Sequence, residues 1–128
     1  MDKGGDLLHG DLTYRIIGLG MEVWNYFMGG FNEKVYENSM IKLFKKNDVR
    51  AAQQVPITVL FEGDEVGHYA ADIFVEGKVV VEIKACDSIV DDHVAQVLNY
   101  LKGSGKKVGM ILNFSKKRLE HRRVINEE

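Results

Sequence analysis

The chain has 128 residues, of which 45 % are hydrophobic and 28 % charged, and its formal net charge is −2. This size and composition are typical of one soluble globular domain, and no apolar run reaches the ~20 residues of a membrane-spanning helix. The polar N-terminus lacks a signal-peptide core, and the single cysteine, Cys86, excludes an internal disulfide and a multi-cysteine metal site. We therefore expect one cytoplasmic domain.

The charge is unevenly distributed along the chain. Residues 101–128 contain eight Lys or Arg and three acidic residues, a net charge of +5. Residues 1–100 contain nine basic and 16 acidic residues, a net charge of −7. A basic end of this kind can neutralise the phosphates of a nucleic acid, and a solvated surface is the simpler alternative.

Two helices are predicted in the first half of the chain, after a flexible terminus at residues 1–10. Asp11 is a candidate N-cap of the first helix, and Gly29-Gly30 ends it. Asn32 can cap the second helix, which runs to about Asn47. The apolar stripes of these helices include Leu12, Ile16, Val23 and Phe27 in the first, and Tyr36, Met40, Leu43 and Phe44 in the second.

Glu33 stands in the first turn of the second helix, on the flank of its apolar face. The helix would therefore turn this carboxylate toward the core. An acid in the first turn is also favoured by the helix dipole alone, by ~0.3–1 kcal/mol, so both interpretations remain open.

A β-hairpin is predicted in the middle of the chain. Its arms are residues 68–75 and 79–85, and Gly77 can supply the positive φ that its tight turn needs. The three consecutive valines 79–81 indicate an arm covered on both faces. A preceding strand, Val55–Phe61, would complete an antiparallel meander.

The second arm of the hairpin ends in Glu82 and Lys84, whose side chains share a face because strand residues two apart point the same way. Asp72 lies across the hairpin, where it can approach Glu82. In one interpretation these are ordinary residues at a strand end, solvated or paired with each other. In the other, Asp72 and Glu82 hold a divalent metal while Lys84 faces a phosphate or a water.

The last third of the chain predicts a helix and a buried strand. The helix begins at Asp87 or Ser88 and carries Gln96 and Tyr100 on one side, a pair that is also common on exposed faces. The apolar run Val108–Leu112 fits a central strand parallel to an earlier one. Residues 122–125 can add an edge strand. The order of elements predicts an α/β domain with a mixed sheet and helices on both faces.

Several motifs resemble one known family. Residues 30–36 spell Gly-x-x-Glu-x-x-Tyr, and the stretches 9–14, 95–101 and 112–114 are similar to further motifs of the GxxExxY family, a branch of the PD-(D/E)XK nuclease superfamily. The resemblance covers roughly residues 9–125. Ala71 stands where the superfamily's name has proline. Gly29 stands where a proline is expected before Gly30, so the turn between the helices is expected to be looser.

The resemblance implies a restriction-endonuclease-like α-β-β-β-α-β core with a four-stranded mixed sheet. It implies that Asp72 and the Glu82-x-Lys84 pair form the superfamily's catalytic motif, and that Glu33 is the helical acid that completes a metal site. Three carboxylates would then surround Mg2+ or Mn2+, with the Ile83 carbonyl as a further ligand. Lys84 would orient the attacking water or stabilise charge on the phosphate.

The expected substrate is nucleic acid, with DNA favoured, and a homodimer is one way to span a duplex. Gln96 and Tyr100 match a Gln-x-x-x-Tyr motif that flanks the site in several branches. A domain that keeps the nuclease fold and binds nucleic acid or protein without cutting is the alternative. The full set of predicted substrate-binding residues is Gln96, Tyr100, Tyr36, Lys102, Lys106 and Lys107.

Overall fold

A computed structural model describes residues 7–127 of the chain. The described part contains three helices and five strands, which are α1 (Gly10–Phe27), α2 (Glu33–Lys46), β1 (Ala51–Phe61), β2 (Asp64–Val75), β3 (Val79–Lys84), α3 (Asp91–Ser104), β4 (Val108–Phe114) and β5 (Leu119–Ile125). None of the helices within residues 7–127 combines the length and the apolar composition needed to cross a membrane.

The five strands form one mixed sheet in the order β1-β2-β3-β4-β5. The first three strands make the predicted antiparallel meander, and α3 carries the chain across to β4, which pairs parallel to β3. The predicted α/β class is confirmed. The sheet has five strands rather than four because residues 119–125 pair with the whole length of β4.

The helices cover both faces of the sheet and enclose two cores. α1 and α2 pack on one face, around residues such as Ile16 and Phe44. α3 packs on the other face through Val97 and Leu101. The apolar residues of β3 are consecutive rather than alternating with polar residues, because both faces of this strand are buried. Val79 and Val81 enter the first core and Val80 the second, as a strand covered on both faces requires.

The helix boundaries follow their caps. The Asn32 side chain accepts a hydrogen bond from the Val35 N–H, as predicted for the start of α2. α1 begins before Asp11 because His9, in the left-handed region with φ 56°, is its N-cap. α3 begins later than expected because residues 85–90 form a loop. The buried Asn113 side chain holds this loop by bonding both the N–H and the carbonyl of Cys86.

The structure describes the last part of the predicted flexible terminus, residues 7–10. Residues 1–6 of that terminus lie outside the described residues. Gly10 already belongs to α1, and the Leu8 carbonyl accepts a hydrogen bond from the Arg123 guanidinium on β5. The chain is therefore attached to the sheet from Leu8 onward.

Gly29 lies at a close approach between two backbones. A Cβ atom at this position would lie 2.3 Å from the Cα of Lys116, so no other residue fits without movement. Nearby, the Trp24 Nε1 donates a hydrogen bond to the Ser115 carbonyl at 2.8 Å. The expectation of a looser turn was wrong, because Gly29 allows the β4–β5 turn to pack against the end of α1.

β1 and β2 continue together beyond the rest of the sheet. β2 pairs with β3 through Ile73–Val75 and Val79–Val81, while its pairing with β1 extends to Phe61 and Asp64. We call residues 55–71 the β-arm. The arm folds over α3, where Ile57 joins the second core.

Candidate active site

The candidate site lies in the fork where β2 separates from β3. Here the Asp72 Oδ2 accepts a hydrogen bond from the Ile83 N–H at 2.8 Å. The carboxylate therefore satisfies a strand donor beyond the last β2–β3 pair, which fixes Asp72 in the fork. The N–H and C=O of a strand residue point to the same side, so the Ile83 carbonyl is also directed toward the fork.

Glu82 and Lys84 occupy the same end of β3 and face α3. Glu82 is buried, with Oε2 3.9 Å from the Lys84 Nζ. Its other oxygen, Oε1, is buried and finds no hydrogen-bond partner in the part of the chain that the structure describes. These residues do pair with each other, but the interpretation of a solvated strand end is wrong because both side chains are largely removed from water.

The electrostatics of Glu82 follow from this placement. Its pKa is raised from the ordinary value of 4.5 to about 8. Burial is the largest cause, the negative charge of Asp72 adds to it, and the Lys84 ammonium opposes both. In the absence of a further cation, Glu82 therefore keeps its proton at neutral pH. A cation bound beside the two carboxylates would favour the ionised form.

α3 supplies the polar backing of the site. The Gln96 Oε1 accepts a hydrogen bond from the Lys84 Nζ at 3.3 Å, and the Gln96 Nε2 donates to the Tyr100 hydroxyl at 2.9 Å. The predicted stacking of Gln96 and Tyr100 on one side of the helix is confirmed. Burial raises the pKa of Tyr100, and the negative charge of Glu82 raises it further. The Gln96 side chain thus bonds Lys84 through its amide oxygen and Tyr100 through its amide nitrogen.

On the opposite face of the sheet, α2 brings a second buried carboxylate toward Asp72. Both oxygens of Glu37 lie 3.2 Å from the Gln54 Nε2, and its Oε2 also accepts from Gln53 and Lys34. The Gln54 Nε2 lies 3.3 Å from the Asp72 Oδ1 as well. Gln54 therefore connects α2 to the fork.

Glu33 lies at the start of α2 and is exposed. Together with Glu37, Gln54 and Asp72 it lines an open cavity of about 620 Å3. The interpretation that turned Glu33 toward the core was wrong, because the helix turns Glu37 inward instead. Glu33 does reach the cavity that Asp72 borders.

The predicted cluster of three carboxylates is not formed. α2 carries Glu33 on one face of the sheet, whereas Glu82 points toward α3 on the other, and Asp72 lies between them. Within residues 7–127 there is no group of three or more His, Cys, Asp or Glu side chains that could hold a metal ion. What the fold does bring together is the pair Asp72 and Glu82, with Lys84 beside it.

Tyr36 does not fit its predicted role in binding substrate. It is fully buried, its hydroxyl donates to the Met28 carbonyl at 2.6 Å, and it accepts from the Phe31 N–H at 3.2 Å. Its ring stacks on Phe114 with 4.3 Å between centroids. Tyr36 therefore fixes the loop between α1 and α2 rather than contacting a ligand.

The predicted basic substrate contacts divide into two groups. Lys106 and Lys107 precede Val108, which pairs with Val79 at the far end of β3 from Lys84. Five residues along a strand separate these ends, roughly 16 Å, so these two lysines are not part of the site. The Lys106 ammonium lies over the Phe74 ring instead. Lys102, in the last turn of α3, lines a groove together with Leu60 and Tyr69 of the β-arm.

Sequence reasoning missed Glu37 and Gln54. Glu37 had a detectable signal, because it precedes Met40 and Phe44 by three and seven residues and so belongs to the buried stripe of α2. Gln54 had none. Its φ of 51° interrupts a strand pattern, and this conformation is uncommon for a residue other than glycine.

The family profile of the PD-(D/E)XK nuclease superfamily matches residues 10–124, which include the three helices and all of the sheet except Ile125. The chain belongs to the PD-(D/E)XK nuclease superfamily. The predicted superfamily is therefore confirmed. No curated protein matches the chain.

Two solved structures share the superfamily fold with this chain. SSO0001 is 19 % identical, with a TM-score of 0.56 over 73 % of this chain and 49 % of its own. The alkaline exonuclease LHK-Exo from Laribacter hongkongensis is 8 % identical, with a TM-score of 0.55 over 75 % of this chain and 57 % of its own. The PD-(D/E)XK chain described here thus spans about half the length of these structures, and at such identities the likeness concerns the fold.

PD-(D/E)XK nucleases generally use divalent metals, and the residues in the fork fit such an ion. Two adjacent carboxylates supply the oxygen ligands that hard cations prefer. One of the four oxygens, the Glu82 Oε1, is buried without a hydrogen-bond partner within residues 7–127, and a cation would satisfy it. Mg2+ bound by one or two carboxylates keeps waters and takes substrate phosphates, so this pair is a sufficient protein contribution.

Proposed function

We propose that this domain is a metal-dependent nuclease that hydrolyses phosphodiester bonds of nucleic acid, with DNA as the expected substrate. The observation that carries the proposal is Glu82, a buried glutamate beside the carboxylate of Asp72 with one oxygen that has no hydrogen-bond partner among residues 7–127. A buried carboxyl oxygen without a hydrogen bond is costly, so its presence next to a second acid favours a cation ligand over a structural role.

Asp72 and Glu82 are the proposed ligands of Mg2+ or Mn2+. The Ile83 carbonyl is a third candidate because it is directed toward the fork. A bound divalent ion supplies Lewis acidity toward the scissile phosphate and a lowered pKa for a coordinated water.

Lys84 is the proposed catalytic cation. Its ammonium can donate to the attacking water or to the phosphate oxygen on which charge develops. The Gln96 Oε1 accepts a hydrogen bond from it, which orients the ammonium at the end of β3. Since Tyr100 occupies the other end of the Gln96 amide, the two residues position Lys84 as a unit, and we propose that both also border the bound strand.

Within the superfamily we propose the GxxExxY branch, on the strength of the motif at residues 30–36 and of Asn32 and Tyr36, which shape the start of α2. The cytoplasmic location and the homodimer stay predictions from the sequence. A binding domain without cleavage is the competing function.

The test is a cleavage assay with a matched control. Labelled single- and double-stranded DNA and RNA are incubated with the protein in Mg2+, Mn2+ or EDTA, beside the double variant Glu82→Gln/Lys84→Ala. The control, Glu22→Gln/Lys78→Ala, makes the same two changes at exposed positions outside the fork. We expect metal-dependent cutting that the control retains and the fork variant loses by roughly a thousandfold, since the lost interactions supply several kcal/mol.

A second readout separates metal binding from cleavage. A metal at about 100 times its dissociation constant adds ~2.7 kcal/mol to the free energy of unfolding, which corresponds to a rise in Tm of roughly 10 °C for a domain of this size. We expect this rise in the wild type and the control and not in the fork variant. Equal cutting by the fork variant would refute the proposal, and a metal-independent Tm without cutting would favour the binding domain.

A further inference from the structure

A groove runs between the β-arm and α3, outside the fork. Its volume is about 390 Å3. Leu60 and Tyr69 form the side supplied by the arm, and Asn99 and Lys102 form the side supplied by α3. The two elements meet closely at the floor, where a Cβ atom at Gly103 would lie 3.0 Å from the Val59 side chain.

A series of side-chain contacts through two tyrosines connects the groove to the fork. The Tyr69 ring lies 5.0 Å from the Tyr100 ring, centroid to centroid. The Tyr100 hydroxyl in turn accepts from Gln96, which holds Lys84. A strand whose phosphate lies at Lys84 would therefore lie beside the groove.

The two sides of the groove differ in chemistry. The arm contributes the exposed side chain of Leu60 and the face of Tyr69, which is 43 % exposed although it sits against a buried neighbour. α3 contributes the amide of Asn99 and the ammonium of Lys102, both exposed. Aromatic faces opposite cations characterise sites for unpaired nucleotides, because the base stacks while the cation takes the phosphate.

We propose that this groove binds an unpaired nucleotide of the substrate strand, with its base on Tyr69 and its phosphate at Lys102. The inference rests on the proposed nuclease function and narrows its substrate to nucleic acid with a single-stranded segment. A base inside a duplex is already stacked between its neighbours and cannot lie on Tyr69. A fully paired duplex therefore leaves the groove unused.

The test measures binding without cleavage, in EDTA. Fluorescence anisotropy is recorded with oligothymidylate and oligouridylate of about twelve nucleotides, within the usual site sizes, and with a blunt DNA duplex. The variants are Tyr69→Thr, which keeps a residue suited to a strand, and Tyr69→Phe, which keeps the ring. Tyr26→Thr is the control, because Tyr26 is an exposed tyrosine on α1, on the opposite face of the sheet.

We expect Tyr69→Thr to weaken binding of the unpaired oligonucleotides by about five- to 150-fold, the measured range for loss of one stacked base. Tyr69→Phe and Tyr26→Thr should bind like the wild type, and the affinity for the duplex should not change in any of them. Lys102→Ala should reduce the slope of log affinity against log salt by about 0.7, as loss of one single-strand phosphate contact predicts.

The groove proposal is overturned if the wild type binds no unpaired oligonucleotide, or if Tyr69→Thr binds as tightly as the wild type. It is also overturned if the duplex loses affinity equally. Should Tyr69→Thr fail to fold, the exposed Lys102→Ala variant decides through its salt slope. If binding of the unpaired oligonucleotides depends on Tyr69 but the protein cuts no nucleic acid, the nuclease function is refuted and the groove proposal stands.

Discussion

Two buried glutamates flank Asp72 from opposite faces of the sheet, and they are held in opposite ways. Glu37 is 3 % exposed and Glu82 is 4 % exposed. The carboxylate of Glu37 accepts hydrogen bonds from Lys34, Gln53 and Gln54. The carboxylate of Glu82 has one oxygen without a partner in the described chain, and the nearest ammonium is 3.9 Å from the other.

Because both glutamates are buried but only Glu37 accepts several hydrogen bonds, burial alone does not identify a functional carboxylate. A buried acid that accepts several hydrogen bonds can serve as structure, because its donors replace the water that it lost. A buried acid without them is a cost to the folded protein until a ligand arrives. On this reasoning Glu37 supports the fork, whereas Glu82 is the residue that an ion or substrate would complete.

The largest expected effect concerns the pH dependence of stability. In EDTA the folded protein holds a proton on Glu82 up to about pH 8, whereas the unfolded chain releases it near the ordinary pKa of 4.5. The free energy of unfolding should therefore fall by several kcal/mol as the pH rises through this window, at up to ~1.4 kcal/mol per unit. Denaturant unfolding at pH 5 and pH 8 measures the fall.

Glu82→Gln removes this contribution. The variant should gain stability relative to the wild type at pH 8 and gain less at pH 5. If the difference between the wild type and Glu82→Gln is the same at both pH values, the electrostatic account of the fork is wrong.

A smaller effect, a loss of stability rather than a gain, is expected when Glu37 is replaced on the other side of Asp72. Glu37→Leu removes the acceptor that the amides of Gln53 and Gln54 share with the Lys34 ammonium. The free energy of unfolding should fall by about 1–3 kcal/mol. Glu37→Gln keeps an acceptor oxygen and should lose less. Urea titrations of both variants check this, and a Glu37→Leu protein as stable as the wild type would contradict the contrast between the two glutamates.

The smallest expected effect is a change in the pKa of Glu82 when a neighbouring charge is removed. Asp72→Asn removes a negative charge and should lower the pKa of Glu82, whereas Lys84→Met removes a positive charge and should raise it. Each shift should be on the order of one unit. Carbon-detected NMR titration of the glutamate carboxyls in EDTA measures both. Shifts in the same direction would show that burial, and not these two charges, determines the value.

The sequence predicted the half of the site that lies on the hairpin. Side chains two apart on a strand share a face, so Glu82 and Lys84 had to lie together, and the hairpin brought Asp72 opposite them. The spacing of Gln96 and Tyr100 on a helix predicted that they would lie on one side of it.

The other half depends on contacts that no local pattern encodes. The burial of Glu37 could have been predicted from the stripe that it shares with Met40 and Phe44, but its contact with Gln54 could not. Gln54 reaches both acids from a left-handed conformation that its residue type disfavours. The distance of Lys106 from the fork depends on the parallel register of β3 and β4, which composition and charge do not reveal.

The hydrogen bond from the Ile83 N–H to Asp72 has a consequence for how this fold can vary. The carboxylate ends the pairing of β2 with β3, so the β-arm beyond it is held by the pairing of its own two strands and by contact with α3, and not by β3. Pairs of residues can be added to or removed from the tip of the arm without shifting the register of residues 73–75, since an even change preserves which face each side chain occupies. The β-arm, which lines the proposed nucleotide groove, can therefore diverge in length and composition while the carboxylates stay in place.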